Sequence, residues 1–277
     1  MPAPDSAWIV PQWPAPARVR AVFTTRHGGV SQGCWHSLNL GTHVGDDPAH
    51  VAANRDRLAA ALGREPRYLN QVHGREVLRL PAEPPRPGAA PPVADACLTR
   101  APGVVATILV ADCLPVLLTD RAGSFVAAAH AGWRGLAGGP APGVPGVLEA
   151  VFSACFDAQT TENPPRAASE IIAWLGPCIG PSAFEVGDEV RAAFLAFDER
   201  ARQAFVPAGR GGKWLADLPL LARQRLARLG VSQVHGNDGT PLWCTVGDAS
   251  RFFSHRRDAV RLGSSGRMAA CVWLAGA

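Results

Sequence analysis

Two imidazoles and one thiol, His73, Cys113 and His130, each fall at the boundary of an expected strand. Their segments are Asn70-Gln71-Val72-His73-Gly74, Ala111-Asp112-Cys113-Leu114-Pro115 and His130-Ala131-Gly132-Trp133-Arg134-Gly135. Two nitrogens and one sulfur are the donor set of a zinc site that keeps one position open. Zinc held in this way lowers the pKa of its bound water to about 7, which suits attack on a substrate at neutral pH. Taken singly, each residue has a plainer reading: a histidine after a strand is usually structural, and a buried cysteine is a small apolar filler. The separations of 40 and 17 residues contain no C-x-x-C or H-E-x-x-H signature. The three meet only if neighbouring strands bring their ends together.

The elements that must do this are read from apolar periodicity and turn residues. Residues 1–17 hold five prolines and form an irregular lead-in, followed by one domain over 18–277. Val19 to Thr25 reads as a strand ending at Arg26-His27-Gly28-Gly29. Asp46-Asp47-Pro48 starts a helix whose apolar face is Val51, Leu58, Ala61 and Leu62. Strands are expected at about 67–73 and 76–80, then at Val104–Val110, Pro115–Thr119, Phe125–Ala129, Ile171–Leu175, Val231–His235 and Met268–Leu274. Helices are expected at about 146–156, from an Asp188 cap through Phe197, and at about 216–229. Pro81–Pro92 and Pro140–Pro145 read as surface loops. Strands and helices alternate without a strict βαβ period, which gives an α/β (α+β) domain with mixed sheets.

Bulk properties narrow the function. The 277 residues are 47% hydrophobic and 18% charged, ordinary for a globular chain. The net charge of +4 comes from dispersed arginines, Lys213 being the sole lysine; no basic run is interleaved with aromatics, so nucleic acid is not an expected partner. Val104–Val110 is too short to cross a bilayer, and Met1–Pro16 does not resemble a signal peptide, so no membrane partner is expected. Seven scattered cysteines form neither a disulfide framework nor a CxxC pair, which points to a reducing cytoplasm. No GxGxxG or GxxxxGK[ST] spacing occurs, against dinucleotide and P-loop readings. The oligomeric state stays open, with a monomer the simplest case.

The three segments above are accompanied by Thr24-Thr25-Arg26-His27-Gly28-Gly29-Val30-Ser31, Ser37-Leu38-Asn39-Leu40-Gly41 and Val44-Gly45-Asp46-Asp47. Further on come Leu175-Gly176-Pro177-Cys178-Ile179-Gly180-Pro181, Phe184-Glu185-Val186-Gly187 and Phe252-Phe253-Ser254-His255-Arg256-Arg257-Asp258. In this order, over about residues 18–275, the chain resembles the YfiH family, also called the laccase-domain or multicopper polyphenol oxidase family. The resemblance implies a four-layer α/β/β/α domain with one metal site built from His73, Cys113 and His130. It also implies phosphorolysis of adenosine, inosine and methylthioadenosine, and deamination of adenosine, so that purine nucleosides and phosphate are the expected partners. The sequence departs from the family at His255, more often tyrosine there, and at Pro140–Pro145, which interrupts the segment after the HAGWRG motif.

The oxidase name is testable by counting. A blue-copper laccase needs a trinuclear cluster fed by paired histidines, and no two of the eight histidines here are separated by a single residue. One Cys/His/His site is expected to hold Zn2+ and is able to take up Cu2+ adventitiously.

For phosphorolysis the phosphate calls for arginine, and Arg26 and Arg134 are the candidates, Arg26 also as a catalytic group beside His73, Cys113 and His130. Asn39, Asn70, Gln71 and His255 are candidate contacts to base or ribose. Asp112 is either an acid for deamination or a group that orients the site. Cys178 has no partner histidine beside it, and the structural reading prevails. Three rival functions remain: peptidoglycan editing by amide hydrolysis of UDP-MurNAc-L-Ser, copper-dependent polyphenol oxidation, and a non-enzymatic metal-binding domain.

Overall fold

The computed structural model describes residues 7–86, 88–139, 143–157, 167–209 and 211–276. The start of the proline-rich lead-in and residues 140–142 of the Pro140–Pro145 loop lie outside the described residues. Two large sheets are stacked face to face. The first is four-stranded, in the order β1 (Val19–Phe23), β13 (Met268–Leu274), β5 (Val105–Val110), β2 (Pro66–Arg67). The second is six-stranded, in the order β12 (Gln233–Gly236), β8 (Ile171–Leu175), β6 (Leu114–Asp120), β7 (Val126–Ala131), β4 (Ala96–Thr99), β3 (Val77–Arg79). Both are mixed: β2 and β5 are parallel, as are β3 and β4 and β8 and β12, while the other pairs are antiparallel.

Alternation along the strands divides the core into three layers. Phe23, Ile108, Val110, Ala270 and Val272 of the first sheet meet Cys97, Leu117, Ala128 and Trp174 of the second. On the outer face of the first sheet, Val22, Leu109, Ala269 and Cys271 pack on Leu58 and Leu62 of α1 (Pro48–Leu62). On the outer face of the second, Val116, Leu118, Ala127 and Ala129 pack on α3 (Val147–Phe156) and α5 (Leu218–Arg228). This is the expected α/β/β/α order. Each large side chain fully buried in these layers contributes roughly 1.5–3 kcal/mol.

Two helix starts follow the expected chemistry, and the expected Asp188 cap does not. Asp47 caps α1, its carboxylate accepting from Ala49 N, with Pro48 at the first helical position and Gly63 closing the helix in the left-handed region. Asp217 caps α5 by accepting from Leu220 N. Asp188 is the first residue of α4 (Asp188–Leu195), and Gly187 is its cap.

Several elements differ from expectation. The strand expected over 67–73 pairs with β5 only at Pro66–Arg67; beyond it Asn70 bridges to Val93 instead, and the Gln71 amide takes over the contact with β5. Its Nε2 donates to Leu109 O at 2.8 Å and its Oε1 accepts from Leu109 N at 2.8 Å. Four features were not anticipated: β4, α2 (Trp133–Ala137), a small sheet of β9 (Glu185–Gly187), β10 (Phe205–Pro207) and β11 (Lys213–Ala216), and α6 (His255–Leu262). Ser254 caps α6, its hydroxyl accepting from Arg257 N. Among the described residues no helix is long and apolar enough to cross a membrane.

Candidate metal centre and its cavity

Strand register brings the three ligands together. β7 lies between β6 and β4 and is antiparallel to both, with Leu114 opposite Ala131 and Ala96 opposite Ala129. The residues that precede β6 and β4, Cys113 and Asp95, therefore flank the end of β7, where His130 is the penultimate residue. The loop from β2 to β3 then carries His73 to the same end, since β3 runs parallel to β4. Of the three, His73 departs from the expected strand boundary: it sits in a turn at φ +60°, six residues beyond β2.

The ligand atoms of His73, Cys113 and His130 all lie within 4.8 Å of one another, with Cys113 Sγ 3.7 Å from His73 Nε2. Tetrahedral zinc with sulfur at about 2.3 Å and nitrogen at about 2.0–2.1 Å sets its ligand atoms roughly 3.3–3.6 Å apart, so one ion fits this donor set with a small adjustment. Among the described residues this is the one such group of three. Close approach depends on Gly132, where a Cβ would stand 2.9 Å from His73 Cδ2 and 3.0 Å from Cys113 Sγ.

A buried carboxylate organises two of the ligands. Asp95 Oδ1 lies 2.8 Å from His130 Nδ1, which leaves His130 Nε2 for the metal. The same carboxylate accepts the backbone N–H groups of Val72 at 3.1 Å, His73 at 2.9 Å and Gly74 at 2.6 Å, fixing the strained turn. Burial raises the Asp95 pKa, but its hydrogen bonds from His130 and Gly74 outweigh that and hold it below the usual carboxylate value.

Burial also pushes the Cys113 thiol up. The His130 charge and hydrogen bonds from both histidines reverse this and bring it down to about 6. His130 is lowered by burial and raised by Cys113 and Asp95, to about 9. The shift favours the Cys113 thiolate, the form that binds a soft or borderline cation, and His130 would release its Nε2 proton on joining it.

Asp112 positions the third ligand. It adopts φ +87° and its carboxylate accepts from Thr245 Oγ1 at 2.5 Å, Ser254 Oγ at 3.0 Å and Arg256 N at 2.6 Å. It thereby ties the Cys113 turn to the start of α6. Three donors on one carboxylate fit a group that orients the Cys113 turn.

These ligands line a cavity of about 560 Å³, a size suited to a small-molecule ligand. Of the residues singled out from the sequence, Asn70, Gln71, Arg134 and His255 also line it. The Gln71 amide is engaged at both ends with Leu109, and Arg134 stacks 4.5 Å over the Trp133 ring. Arg26 and Asn39, the other two residues expected to meet substrate, are not among the residues that line this cavity. Arg26 donates from Nε to His36 O and from Nη1 to Ala249 O, and lies over Phe253, so it ties these loops together. Asn39 is fully buried and bonds Gly41, Asp46 and Arg267 N.

The sequence reading missed Asp95, Arg55, Tyr68, Arg256 and Arg267, of which the last four line the cavity. A signal for Asp95 existed: a lone carboxylate inside the apolar run Val93–Leu98 must be paired if buried. Cys178 is buried, its Sγ accepts from Asn237 Nδ2 at 3.4 Å, and burial pushes its pKa well up, as befits a structural thiol.

Residues 20–275 match the family described as multi-copper polyphenol oxidoreductase laccase. A protein of Escherichia coli K12 named purine nucleoside phosphorylase YfiH is 51% identical over 271 residues, covering 97% of this chain and 99% of that one. A Pseudomonas aeruginosa protein named a purine nucleoside phosphorylase is 49% identical over 269 residues, covering 97% and 99%. Among solved structures, a Neisseria meningitidis protein superposes with TM-score 0.83 at 44% identity, covering 98% of this chain and 100% of that one. YlmD from Geobacillus stearothermophilus superposes with TM-score 0.77 at 31% identity, covering 94% and 93%.

Proposed function

Since this chain belongs to the multi-copper polyphenol oxidoreductase laccase family, whose matched members include proteins named purine nucleoside phosphorylases, we propose that it is a purine nucleoside phosphorylase with a single zinc site. The observation that carries the reading is one cavity lined by the His73, Cys113 and His130 ligand group, by apolar surfaces, and by four arginines. Adenosine, inosine and methylthioadenosine are the proposed substrates, with deamination of adenosine as a second activity of the same cavity.

In phosphorolysis a phosphate oxygen forms a bond to C1′ of the ribose while the C1′–N9 bond breaks. The electron pair leaves with the purine, which takes up the proton that phosphate gives up, and the products are free base and ribose 1-phosphate. Trp133, Ile179 and Phe184 offer apolar surfaces to a purine, while Arg55, Arg134, Arg256 and Arg267 offer cations to phosphate. Zinc held by His73, Cys113 and His130 would supply a Lewis acid within the same space. Asp95 holds the His130 ring and the His73 turn so that both nitrogens face that ligand position.

The reading is tested by incubating zinc-replete protein with adenosine and phosphate and resolving the products by chromatography. Adenine with ribose 1-phosphate is the expected outcome, with inosine as the product of deamination. Absence of both, together with turnover of UDP-MurNAc-L-Ser, would replace the reading with amide hydrolysis.

A further inference from the structure

The Ser37-Leu38-Asn39-Leu40-Gly41 loop contributes no side chain to the cavity, yet it seats two arginines that do line it. Leu40 O accepts from Arg55 Nε at 3.0 Å, and the Arg55 guanidinium lies 3.8 Å over the Tyr68 ring. Leu40 N donates to Arg267 O at 3.1 Å, and Asn39 Oδ1 accepts from both Gly41 N and Arg267 N. Gly41 lets the Arg267 stem pass, since a Cβ there would stand 2.7 Å from Arg267 Cγ. At its far end Arg267 Nη1 donates to Ser265 O and Gly266 O.

Both guanidinium groups are half-buried, and among the described residues neither forms an ion pair with a carboxylate. Charges withdrawn from water without a counter-ion are costly unless a ligand supplies one. Arg134 and Arg256, the other cavity arginines, are exposed. His43, adjacent to the loop and also lining the cavity, is lowered by burial and then by Arg267 and Arg55, so both cations act on the same point. Arg267 is lowered by burial, partly offset by Cys113 and Asp112, which places it within electrostatic reach of the metal ligands.

We propose that Arg55 and Arg267, seated by Asn39, Leu40 and Gly41, form an oxyanion subsite in the metal-lined cavity, with inorganic phosphate as its occupant. Fork-shaped N–H donors held by stacking and by backbone carbonyls suit a tetrahedral oxyanion. The choice of free phosphate rests on the phosphorylase reading, in which nucleoside and phosphate share one cavity. A phosphoryl group carried by a nucleotide would satisfy the same donors and is the alternative source.

Calorimetric titration of zinc-loaded protein with inorganic phosphate, and separately with adenosine 5′-monophosphate, tests the subsite without reference to catalysis. Arg55→Gln and Arg267→Gln should each weaken phosphate binding about tenfold or more, with zinc content and adenosine affinity unchanged. Gly41→Ala should weaken it too, by displacing Arg267 without removing a charge. If Arg267→Gln does not fold, Arg55→Gln decides alone. Unaltered phosphate binding in Arg55→Gln would overturn the proposal, as would a nucleotide monophosphate that phosphate cannot displace. Phosphate bound through these arginines with no phosphorolysis would refute the phosphorylase reading and leave the subsite intact. Phosphorolysis with an unchanged KM for phosphate in both glutamine variants would do the reverse.

Discussion

Asp95 and His130 are joined twice: the carboxylate Oδ1 is 2.8 Å from His130 Nδ1, and His130 N donates to the Asp95 carbonyl at 2.7 Å. Because the same carboxylate binds three N–H groups of the His73 turn, one side chain governs two of the three metal ligands. Asp95→Asn is expected to lower zinc affinity roughly 10–100-fold while leaving the sheets intact. Competition with a chromophoric chelator measures this, and wild-type affinity in the variant would show that Asp95 is dispensable.

Cys113 should be the reactive thiol of the metal-free protein. Its thiol is brought down to about 6, whereas burial pushes Cys97, Cys155 and Cys271 up to about 12 and also raises Cys34. A lowered thiol pKa means that the thiolate fraction rises with pH through about 6 and is essentially complete near neutrality. Alkylation by iodoacetamide, followed by peptide mass mapping, should therefore label Cys113 first, with a midpoint near pH 6, and zinc should protect it. A midpoint near the ordinary thiol value would contradict stabilisation of the thiolate by the two histidines.

Gly132→Ala should damage the metal centre without unfolding the chain. The added methyl would crowd His73 Cδ2 and Cys113 Sγ, both of which belong to ligands. At least a tenfold loss of zinc affinity is expected, on the order of 1.4 kcal/mol. Unchanged affinity would mean that the site is more yielding than its packing indicates.

Asp112→Ala should leave the donors Thr245 Oγ1, Ser254 Oγ and Arg256 N without their shared acceptor. Unsatisfied buried polar groups cost about 1–3 kcal/mol each, so a clear drop in thermal stability is expected. Asp112→Asn should recover part of it, and neither variant should remove a limb from the pH–rate profile. A lost limb would make Asp112 a proton donor after all.

What was legible in the sequence follows the range of each interaction. Local signals were readable: Asp47-Pro48 before α1, the apolar runs of β5, β6, β7, β8 and β13, and the soft ligands beside glycine and proline. Contacts made across the fold were not. Asn39 is expected as a substrate contact because loop amides often are; that its oxygen accepts from Gly41 N and from Arg267 N, 228 residues away in the latter case, could not be read from the sequence. Arg26 is expected at phosphate from its place beside two glycines; its bonds to His36 O and Ala249 O, the latter 223 residues away, could not be read from the sequence. Arg55 lies on a helix whose periodicity marks only its apolar face, so its position in the cavity was invisible. The strand expected through residue 73 failed because the Gln71 side chain does what a backbone ladder would have done.

The central claim is that one zinc, held by His73, Cys113 and His130, serves phosphorolysis in this cavity. Its most direct test is to measure zinc per chain and the rate of adenosine phosphorolysis together in wild-type protein and in Cys113→Ala. One zinc per chain in the wild type, with metal and phosphorolysis lost together in the variant, is the predicted result. Full phosphorolysis by a zinc-free Cys113→Ala protein would contradict it.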